Sequence, residues 1–270
     1  MNSAVAIPAF ADVAGAALRR EWVSHRLNRF LHAHLLLILA AGLLPLLTPD
    51  GGLARGAAWW VLHAVLYAVS LSALLLGLSS AHAESEEFVW LLGQPAGIGP
   101  WLAGKVFGLI ALAGGSALLL GLPVTLMGGG SKALLLATIG AAGVASLCAL
   151  IGLAIGFWVR DSVRGLIAAI AGWLLLLFGV DLLLLATAGA PWVQRNPDLW
   201  VAALMLNPLD AYRVAILFAV ENAAFGSLQA GRLTAWWIAH AGLWLGLATL
   251  TGGALAWAAS WCGASRRLDG

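Results

Sequence analysis

Long apolar runs, separated by short polar stretches, dominate the chain and predict a protein built from membrane-spanning helices. Six runs are candidates for spans: Leu31–Leu47, Ala58–Ser80, Leu102–Leu126, Ala133–Trp158, Gly165–Ala188 and Ala235–Ala259. An α helix rises about 1.5 Å per residue and needs roughly 20 apolar residues to cross a bilayer. Because the first run is the shortest, we expect its helix to take residues from the stretch that precedes it.

The stretch before the first run has the pattern of a helix that lies in the plane of the membrane. Apolar residues recur at helical spacing: Phe10, Ala14, Leu18 and Trp22. Positive charge comes from four arginines: Arg19, Arg20, Arg26 and Arg29. A basic amphipathic helix of this kind binds at the lipid interface, and a cluster of charges that only fixes orientation is a compatible alternative. We therefore divide the chain into an N-terminal interfacial helix, 1–30, and a transmembrane domain, 31–270.

Composition supports the same class of protein, all-α and polytopic. The chain is 62% hydrophobic and 10% charged, with a mean hydropathy of +0.95. These values exclude the surface of a soluble globular protein. With only two cysteines in the chain, neither a disulfide framework nor a thiolate metal site is predicted.

The basic residues predict the orientation, since Lys and Arg concentrate on the cytosolic side of membrane proteins. With the N terminus inside, nine of the 14 Lys and Arg residues are cytosolic: Arg19, Arg20, Arg26, Arg29, Lys105, Arg160, Arg164, Arg266 and Arg267. The other five are spread over three outer loops: Arg55, Lys132, Arg195, Arg213 and Arg232. We therefore expect both termini in the cytosol.

The loop 81–101, between the second and third spans, is the longest polar interruption on the predicted cytosolic side. Three acids precede its apolar run Phe88–Leu92: Glu84, Glu86 and Glu87. A short helix here has acids at its positive end and an apolar side that includes Trp90. That side either docks on a partner protein or lies on lipid. On the next cytosolic loop, Arg160 and Asp161 either end the fourth span or contact the same partner.

The end of this loop nearly spells a phosphate-binding motif, from Gly99 to Val106. Val106 stands where the motif needs a hydroxyl group to bind magnesium. The residues after Lys105 enter a membrane helix, whereas the motif needs a helix that follows a parallel strand. We therefore expect no nucleotide site and no enzymatic activity in this chain.

Asp181 is the only carboxylate well inside a predicted span. A charge at the centre of a span costs roughly 2.5 to 3.5 kcal/mol on insertion scales. The residue is either a protonated or snorkelling acid near the outer end of the fifth helix, or a polar contact to another subunit or an outer partner. We expect a structural contact rather than a proton relay, because the pattern shows no second acid at matching depth.

The outer segment 189–234 contains the signals of a helix start. Asn207 is placed as the N-cap, Pro208 as the first helical residue, and Asp210 as the acid of a capping box. Tyr212 and Arg213 have no capping role, so they are candidates for contact with an outer partner. The apolar residues that follow could rest on the outer leaflet or on that partner. We expect this helix to act as a lever that carries motion outward.

The order of these elements resembles that of the ABC-2 type permeases, with a type V exporter-like architecture. Several motifs resemble the permeases that serve maturation of nitrous oxide reductase: Arg19-Arg20-Glu21, Asn28-Arg29-Phe30, Trp173 with Asp181, and Leu206-Asn207-Pro208-x-Asp210-x-Tyr212-Arg213. The loop matches that family at six positions: Glu84, Leu91, Leu92, Pro95, Gly104 and Lys105. It departs from the family at Glu86, Glu87 and Ile98. The stretch from Leu206 to Arg213 is the most specific part of the resemblance.

The resemblance implies a homodimer in the bacterial inner membrane, with no nucleic-acid partner. It implies a separate cytosolic ATPase, which holds the ATP and Mg and binds at the acidic loop. It also implies a periplasmic maturation protein that builds the copper-sulfur sites of the reductase. The residues themselves predict no metal site, since the methionines after Met1 are Met127 and Met205 and form no ladder for Cu(I). We expect a mechanical role or transport of a non-metal sulfur species.

Two other functions remain open. An ABC-2 exporter of a lipid or glycan has the same order of elements. An intramembrane serine protease of the rhomboid type also has six spans and a His before a Gly in the last one, as at His240 and Gly242. Ser146 lacks the glycine that should follow such a nucleophile, and no credible pair of nucleophile and base is found.

Overall fold

The computed structural model describes residues 9–26, 28–47, 53–83, 97–126, 130–187, 189–220 and 232–266. Within these ranges the regular structure is entirely helical. Five helices are long and apolar enough to cross a membrane: Gly56–Ala83, Ile98–Leu120, Lys132–Trp158, Ser162–Thr187 and Ala235–Arg266. The protein is therefore all-α and of the membrane-embedded kind, as the apolar runs predict.

Fourteen α-helical segments are described: α1 Phe10–His25, α2 Arg29–Leu43, α3 Leu53–Ala64, α4 Ser70–Ala83, α5 Ile98–Leu109, α6 Gly115–Ala117, α7 Leu122–Leu126, α8 Lys132–Trp158, α9 Ser162–Leu174, α10 Val180–Thr187, α11 Pro191–Gln194, α12 Pro197–Leu206, α13 Pro208–Val220 and α14 Arg232–Arg266. The described residues include three π-helical turns, Val65–Val69, Ile110–Gly114 and Leu175–Gly179. They join α3 to α4, α5 to α6 and α9 to α10, and each pair forms one continuous helix. The long helix α14 is broken once, at His240, where φ is −123° and ψ is 22°.

The first predicted span is shorter than the other five. It consists of α2, with 15 residues, and the 3-10 turn Leu44–Leu47. The helix does not continue from α1, because the side chain of Asn28 accepts a hydrogen bond from the backbone N–H of Phe30 at 2.8 Å and starts a new helix. From the basic stretch, α2 therefore takes only Arg29 and Phe30.

Helix α1 confirms the prediction of a helix over the basic N-terminal stretch, and it packs on α5. Its outward side carries the exposed side chains of Phe10, Leu18 and Trp22. Its inward side is narrow, because a Cβ atom on Gly104 would lie only 2.2 Å from the carbonyl oxygen of Ala14. The missing side chain at Gly104 therefore lets the two helices lie in backbone contact.

Helix α8 lies at the centre of the protein and packs against α3, α4, α13 and α14. Its contact with α4 depends on glycines from both helices. A Cβ atom on Gly77 would lie 1.8 Å from the carbonyl oxygen of Ala149, and one on Gly152 would lie 1.9 Å from that of Leu74. Gly156 extends the same contact by one turn. These two helices are packed too closely for any side chain at those positions.

The two ends of α8 define the two ends of the bundle. We call the Trp158 side the near end, where α1, the end of α4, the start of α5 and the end of α14 lie. Trp158 donates a hydrogen bond to the carbonyl oxygen of Ala259 there, at 2.8 Å. We call the Lys132 side the far end, where α13 lies.

Helix α13 begins at Pro208, as predicted, but it is not a surface helix. Leu209, Ala211, Ala215 and Ile216 are buried against α8, α14 and α3. Ile216, Leu217, Phe218 and Val220 were predicted to rest on the outer leaflet or on a partner. This prediction is wrong for Ile216, which is fully buried. The face fills a space between the long helices of the same chain.

Candidate functional site

A polar cluster joins α10 and α13 at the far end, and it contains four residues that the sequence selected. The guanidinium group of Arg213 donates two hydrogen bonds to the carboxylate of Asp181, at 2.8 and 2.7 Å. The same group lies 2.9 Å from a carboxylate oxygen of Asp210. One cation therefore holds two acids, one on a long apolar helix and one on the short helix packed beside it.

Asn207 connects this cluster to the backbone. Its Oδ1 accepts a hydrogen bond from the N–H of Leu209 at 3.1 Å, which confirms the predicted N-cap. Its Nδ2 donates to Asp210 at 2.7 Å and to the carbonyl oxygen of Leu176. The acid of the expected capping box thus binds the side-chain amide of the cap, where the prediction placed a bond to the cap's backbone N–H.

The carbonyl group of Leu176 belongs to the π turn Leu175–Gly179. A π turn interrupts the regular α-helical ladder, so a carbonyl group there is open to a bond from outside the helix. Asn207 uses it, and the start of α13 is thereby tied to the long helix that carries Asp181.

Tyr212 is a core residue and has no surface for an outer partner. The side chain is fully buried, and its hydroxyl group donates to the carbonyl oxygen of Ala137 on α8 at 2.9 Å. Its ring fills the space over Gly140, where an added Cβ atom would lie 2.8 Å from a ring carbon. The expectation that Tyr212 contacts a periplasmic partner is therefore replaced by a role in holding α13 against α8.

Arg213 was expected to make an outer contact. Asp181 was expected to have a structural role, either as a protonated or snorkelling acid or in a contact to another subunit or an outer partner. The structure pairs them with each other. The absence of a second acid at matching depth was also inferred wrongly, since Asp210 shares the same guanidinium group. The pair is not sealed, because the side chain of Arg213 is 30% exposed and that of Asp181 is 39% exposed.

The electrostatics of this cluster centre on Asp210, which lies on α13, outside the five long apolar helices. Burial raises the pKa of Asp210 to about 6, and the charge of Asp181 adds to the rise. The charge of Arg213 and the hydrogen bond from Asn207 oppose it. For Arg213, the hydrogen bonds to Asp181 raise the pKa above its ordinary value. A proton on Asp210 would leave one acid and one guanidinium, with no net charge.

The near end holds a second polar cluster, which the pattern of residues did not reveal as a site. Lys105 on α5 and Glu21 on α1 form an ion pair with 2.8 Å between Nζ and Oε2. Ser80 on α4 donates a hydrogen bond to the other carboxylate oxygen of Glu21. Nδ1 of His25 donates to the backbone carbonyl of Glu21 at 3.0 Å, while its Nε2 is buried and has no hydrogen-bond partner in the described part of the chain.

A signal for this cluster was present in the sequence. Glu21 lies four residues after Ala17 and seven after Ala14, so it continues the small face of α1. Lys105 follows Gly104 within α5. A charged residue in line with small residues on each of two helices indicates a close contact with a pair inside it. From the sequence, Glu21 entered only the family resemblance, and Lys105 entered the orientation, the near-match to a phosphate-binding motif and that resemblance.

The C-terminal ends of α4 and α8 lie beside each other at the near end. Nε2 of His82, at the end of α4, donates to the carbonyl oxygen of Val159 at 2.9 Å. Asp161 has a local role, because its side chain accepts the N–H of Arg164 at 2.7 Å and caps α9. Arg160 and Asp161 are both exposed. Four further predicted coupling residues lie outside the described residues: Glu84, Glu86, Glu87 and Trp90.

The chain was compared with known proteins and with models of protein families. No family model matches it. No curated protein matches it at a significant level.

The contacts of the described residues bear on two kinds of chemistry, metal binding and serine-protease catalysis. Among the described residues, no group of three or more His, Cys, Asp or Glu side chains could hold a metal ion. The serine and histidine considered for a protease each bond to their own helix: Ser146 donates to the carbonyl of Ala142 at 2.8 Å, and His240 bonds to that of Trp236 at 2.9 Å. Nothing in these contacts activates Ser146 as a nucleophile.

Proposed function

We propose that the chain is the permease subunit of an ABC transporter, with six spans of the ABC-2 type, working as a homodimer in a bacterial inner membrane. The observation that carries the proposal is the contact between the ends of α4 and α8 at the near end, through His82 and Val159. The two predicted cytosolic loops follow these two helices in the chain, so a single partner bound there would be next to the start of both. A separate ATPase, with its own ATP and Mg, is that partner.

The packing offers a route from this surface to the far end. A partner bound at the near end would act on α4, which is in backbone contact with the central helix α8. Helix α8 holds Tyr212 of α13 through Ala137, and α13 holds the long helix of Asp181 through Arg213. Coupling along such a route needs mutational tests of each contact.

The cargo or outer task that we propose is maturation of the copper-sulfur sites of nitrous oxide reductase. Its support is the motif from Leu206 to Arg213, in which Asn207, Asp210 and Tyr212 each make specific contacts within the chain. With these side chains engaged inside, the surface for a periplasmic maturation protein moves to α11 and α12. Three large apolar side chains are exposed there: Trp192, Leu199 and Leu206.

A second candidate, an ABC-2 exporter of a lipid or glycan, is favoured by one observation. A groove of about 380 Å³ lies between α5, α8 and α14. Its lining is apolar apart from Ser146 and Thr249, and it includes Phe107 and Trp257. An acyl chain would fit such a surface. The two candidates differ in the outer partner, which the maturation role needs and the exporter role does not.

The test of the proposal is reconstitution with an ABC ATPase encoded beside the gene. Replacing Glu84 and Trp90 by Ala should abolish co-purification and ATPase stimulation. A matched control replaces Asp198 and Trp192 by Ala, which removes one carboxylate and one indole from the far end. If the ATPase binds all three proteins equally, residues 84–96 are not its docking site.

The outer task is tested separately in cells that lack the native gene. Nitrous oxide reductase produced with the wild-type chain should contain its copper-sulfur centres, and its visible spectrum reports them. The far-end double variant should bind the ATPase and fail in this assay. Normal reductase in cells without any copy of the gene would exclude the maturation role and leave the exporter role.

A further inference from the structure

The buried pair of Glu21 and Lys105 stands at the junction of three helices. Glu21 is 1% exposed and lies on α1, while Lys105 is 1% exposed and lies on α5. Ser80, which is as deeply buried, donates to the same carboxylate from α4. The ends of α4 and α5 are the two points from which residues 84–96 extend. One carboxylate therefore binds both flanks of that segment to the N-terminal helix.

Shape and charge act together at this junction. Gly104 admits the backbone of α1, and Gly108, one turn later, admits the stem of Glu21, since an added Cβ atom would lie 3.0 Å from its Cγ. The carboxylate then meets Lys105 between these glycines along α5. A slip of α1 by one turn would move the acid away from both the amine and its space. The contact thus specifies one position of α1 along α5.

Stability alone does not account for a charged pair in this place. Removing two charges from water costs free energy that their attraction often only offsets, and apolar side chains of similar volume often pack as well. Buried charged or polar pairs are better attested as devices that fix alignment. The two hydrogen-bonded partners of Glu21 lie on different helices, which is the arrangement that such a device needs.

We propose that Glu21 is a positioning residue that fastens α1 to both flanks of residues 84–96, so that the three helix ends move as one unit. Helix α1 then moves together with α4 and α5. Its exposed side chains of Phe10, Leu18 and Trp22 move in contact with lipid. The part of this proposal that concerns ATP-driven motion rests on the proposed function. The attachment of α1 to α4 and α5 through Glu21, which we call the fastening, does not depend on that function.

The fastening is tested by distances between spin labels, measured without any ATPase. Cys148 and Cys262 are first replaced by Ser, and labels are placed at the exposed positions Val23 on α1 and Val163 on α9. A control pair joins Phe107 on α5 to Val163. In Glu21→Gln, which removes the carboxylate that pairs with Lys105, the first distance should lose its single narrow distribution. The control distance should stay unchanged, which shows that the bundle is folded.

Two double variants separate alignment from simple adhesion. The exchange Glu21→Lys with Lys105→Glu keeps the pair and lets the oxygen of Ser80 accept from the new amine, so it should restore the narrow distance. The apolar pair Glu21→Leu with Lys105→Met should keep α1 bound but broaden its distance distribution. An unchanged distance in Glu21→Gln, or a narrow one in the apolar pair, would overturn the proposal.

The same variants then enter the ATPase assay. Glu21→Gln and the apolar pair should no longer stimulate ATP hydrolysis, although the ATPase still binds. The exchanged pair should stimulate it again. If Glu21→Gln releases α1 and the stimulation of ATP hydrolysis is unaffected, the positioning role is refuted. If the distances behave as expected but the wild-type chain neither binds nor stimulates an ATPase, the proposed function fails and the fastening stands.

Discussion

Arg213 offers the sharpest test of the far-end cluster, because it is the one cation between two acids. In Arg213→Ala, Asp181 and Asp210 lose their ion pair, and two carboxylates remain close together. Removing one partner of a fully buried pair costs about 3 to 5 kcal/mol. Since the side chains of Arg213 and Asp181 are 30% and 39% exposed, water screens part of this interaction, and we expect a loss of about 2 kcal/mol.

The double variant Arg213→Ala with Asp181→Asn removes the unpaired charge on α10. Asp181→Asn alone should cost less, about 1 kcal/mol, because Arg213 keeps Asp210 as a partner. The two changes should therefore not be additive, with a coupling energy between about 0.5 and 3 kcal/mol, as is usual for residues in one network. Assembly should survive in all three variants.

The assay is reversible unfolding of the purified chain in mixed micelles, followed by circular dichroism. Arg195→Ala is the matched control, since it removes an exposed arginine from the same end of the protein. Its effect should stay within about 0.5 kcal/mol of zero. In the contrary case, the stability lost in the double variant equals the sum of the losses in the two single variants to within about 0.5 kcal/mol. That result would show that the bidentate pair of Arg213 and Asp181 does not form.

Three further predictions concern the same region. Gly140→Ala should destabilise the protein by about 1 to 3 kcal/mol, since its Cβ atom would meet the Tyr212 ring at 2.8 Å, whereas Gly246→Ala, with no atom within 4 Å, should not; unfolding of the two variants decides this. Asn207→Ala should cost more stability than the loss of a cap alone, which is about 0.5 to 2 kcal/mol, because the bond to Leu176 is lost as well. The comparison is Ser131→Ala, which removes the simple cap of α8. An equal cost in the two variants would contradict the role of the π turn. The pKa of Asp210 is raised from 3.8 to about 6, so its contribution to stability is fully present below pH 4 and is lost as the pH rises through 6. In Asp210→Asn the free energy of unfolding should therefore depend less on pH between 4 and 7. An unaltered pH profile would assign the titration to another group.

Local signals in the sequence predicted those features that neighbouring residues determine. The cap at Asn207 and the helix start at Pro208 are set within three residues, and both are as predicted. The apolar runs likewise predicted the long helices, because helix formation and membrane insertion depend on nearby residues. The first apolar run forms a helix as well, but α2 has 15 residues and is shorter than the roughly 20 that a span needs.

Partners distant in the chain explain what the sequence did not reveal. Tyr212 bonds to a residue 75 positions away, Arg213 to one 32 positions away, and Glu21 to one 84 positions away. No local periodicity joins Tyr212 or Arg213 to its partner, so these two residues, which lacked a local role, were assigned to an outer partner. The π turns were missed for a related reason, since one extra residue in a run of leucines leaves the apolar pattern intact.

The π turn at Leu175–Gly179 has a consequence for how this helix tolerates length changes. A π turn accommodates one residue more than the α-helical path, and each residue turns a helix by about 100°. Deleting one leucine from Leu174–Leu177 would therefore remove the extra residue, convert the bulge into regular helix and leave every later side chain, Asp181 included, in its present orientation. A deletion in a regular part of the helix would instead turn the later side chains by that angle. What the shortened helix would lose is the open carbonyl group that Asn207 binds. The ion pair with Arg213 thus tolerates a change of length at this turn, and the bond to the start of α13 does not.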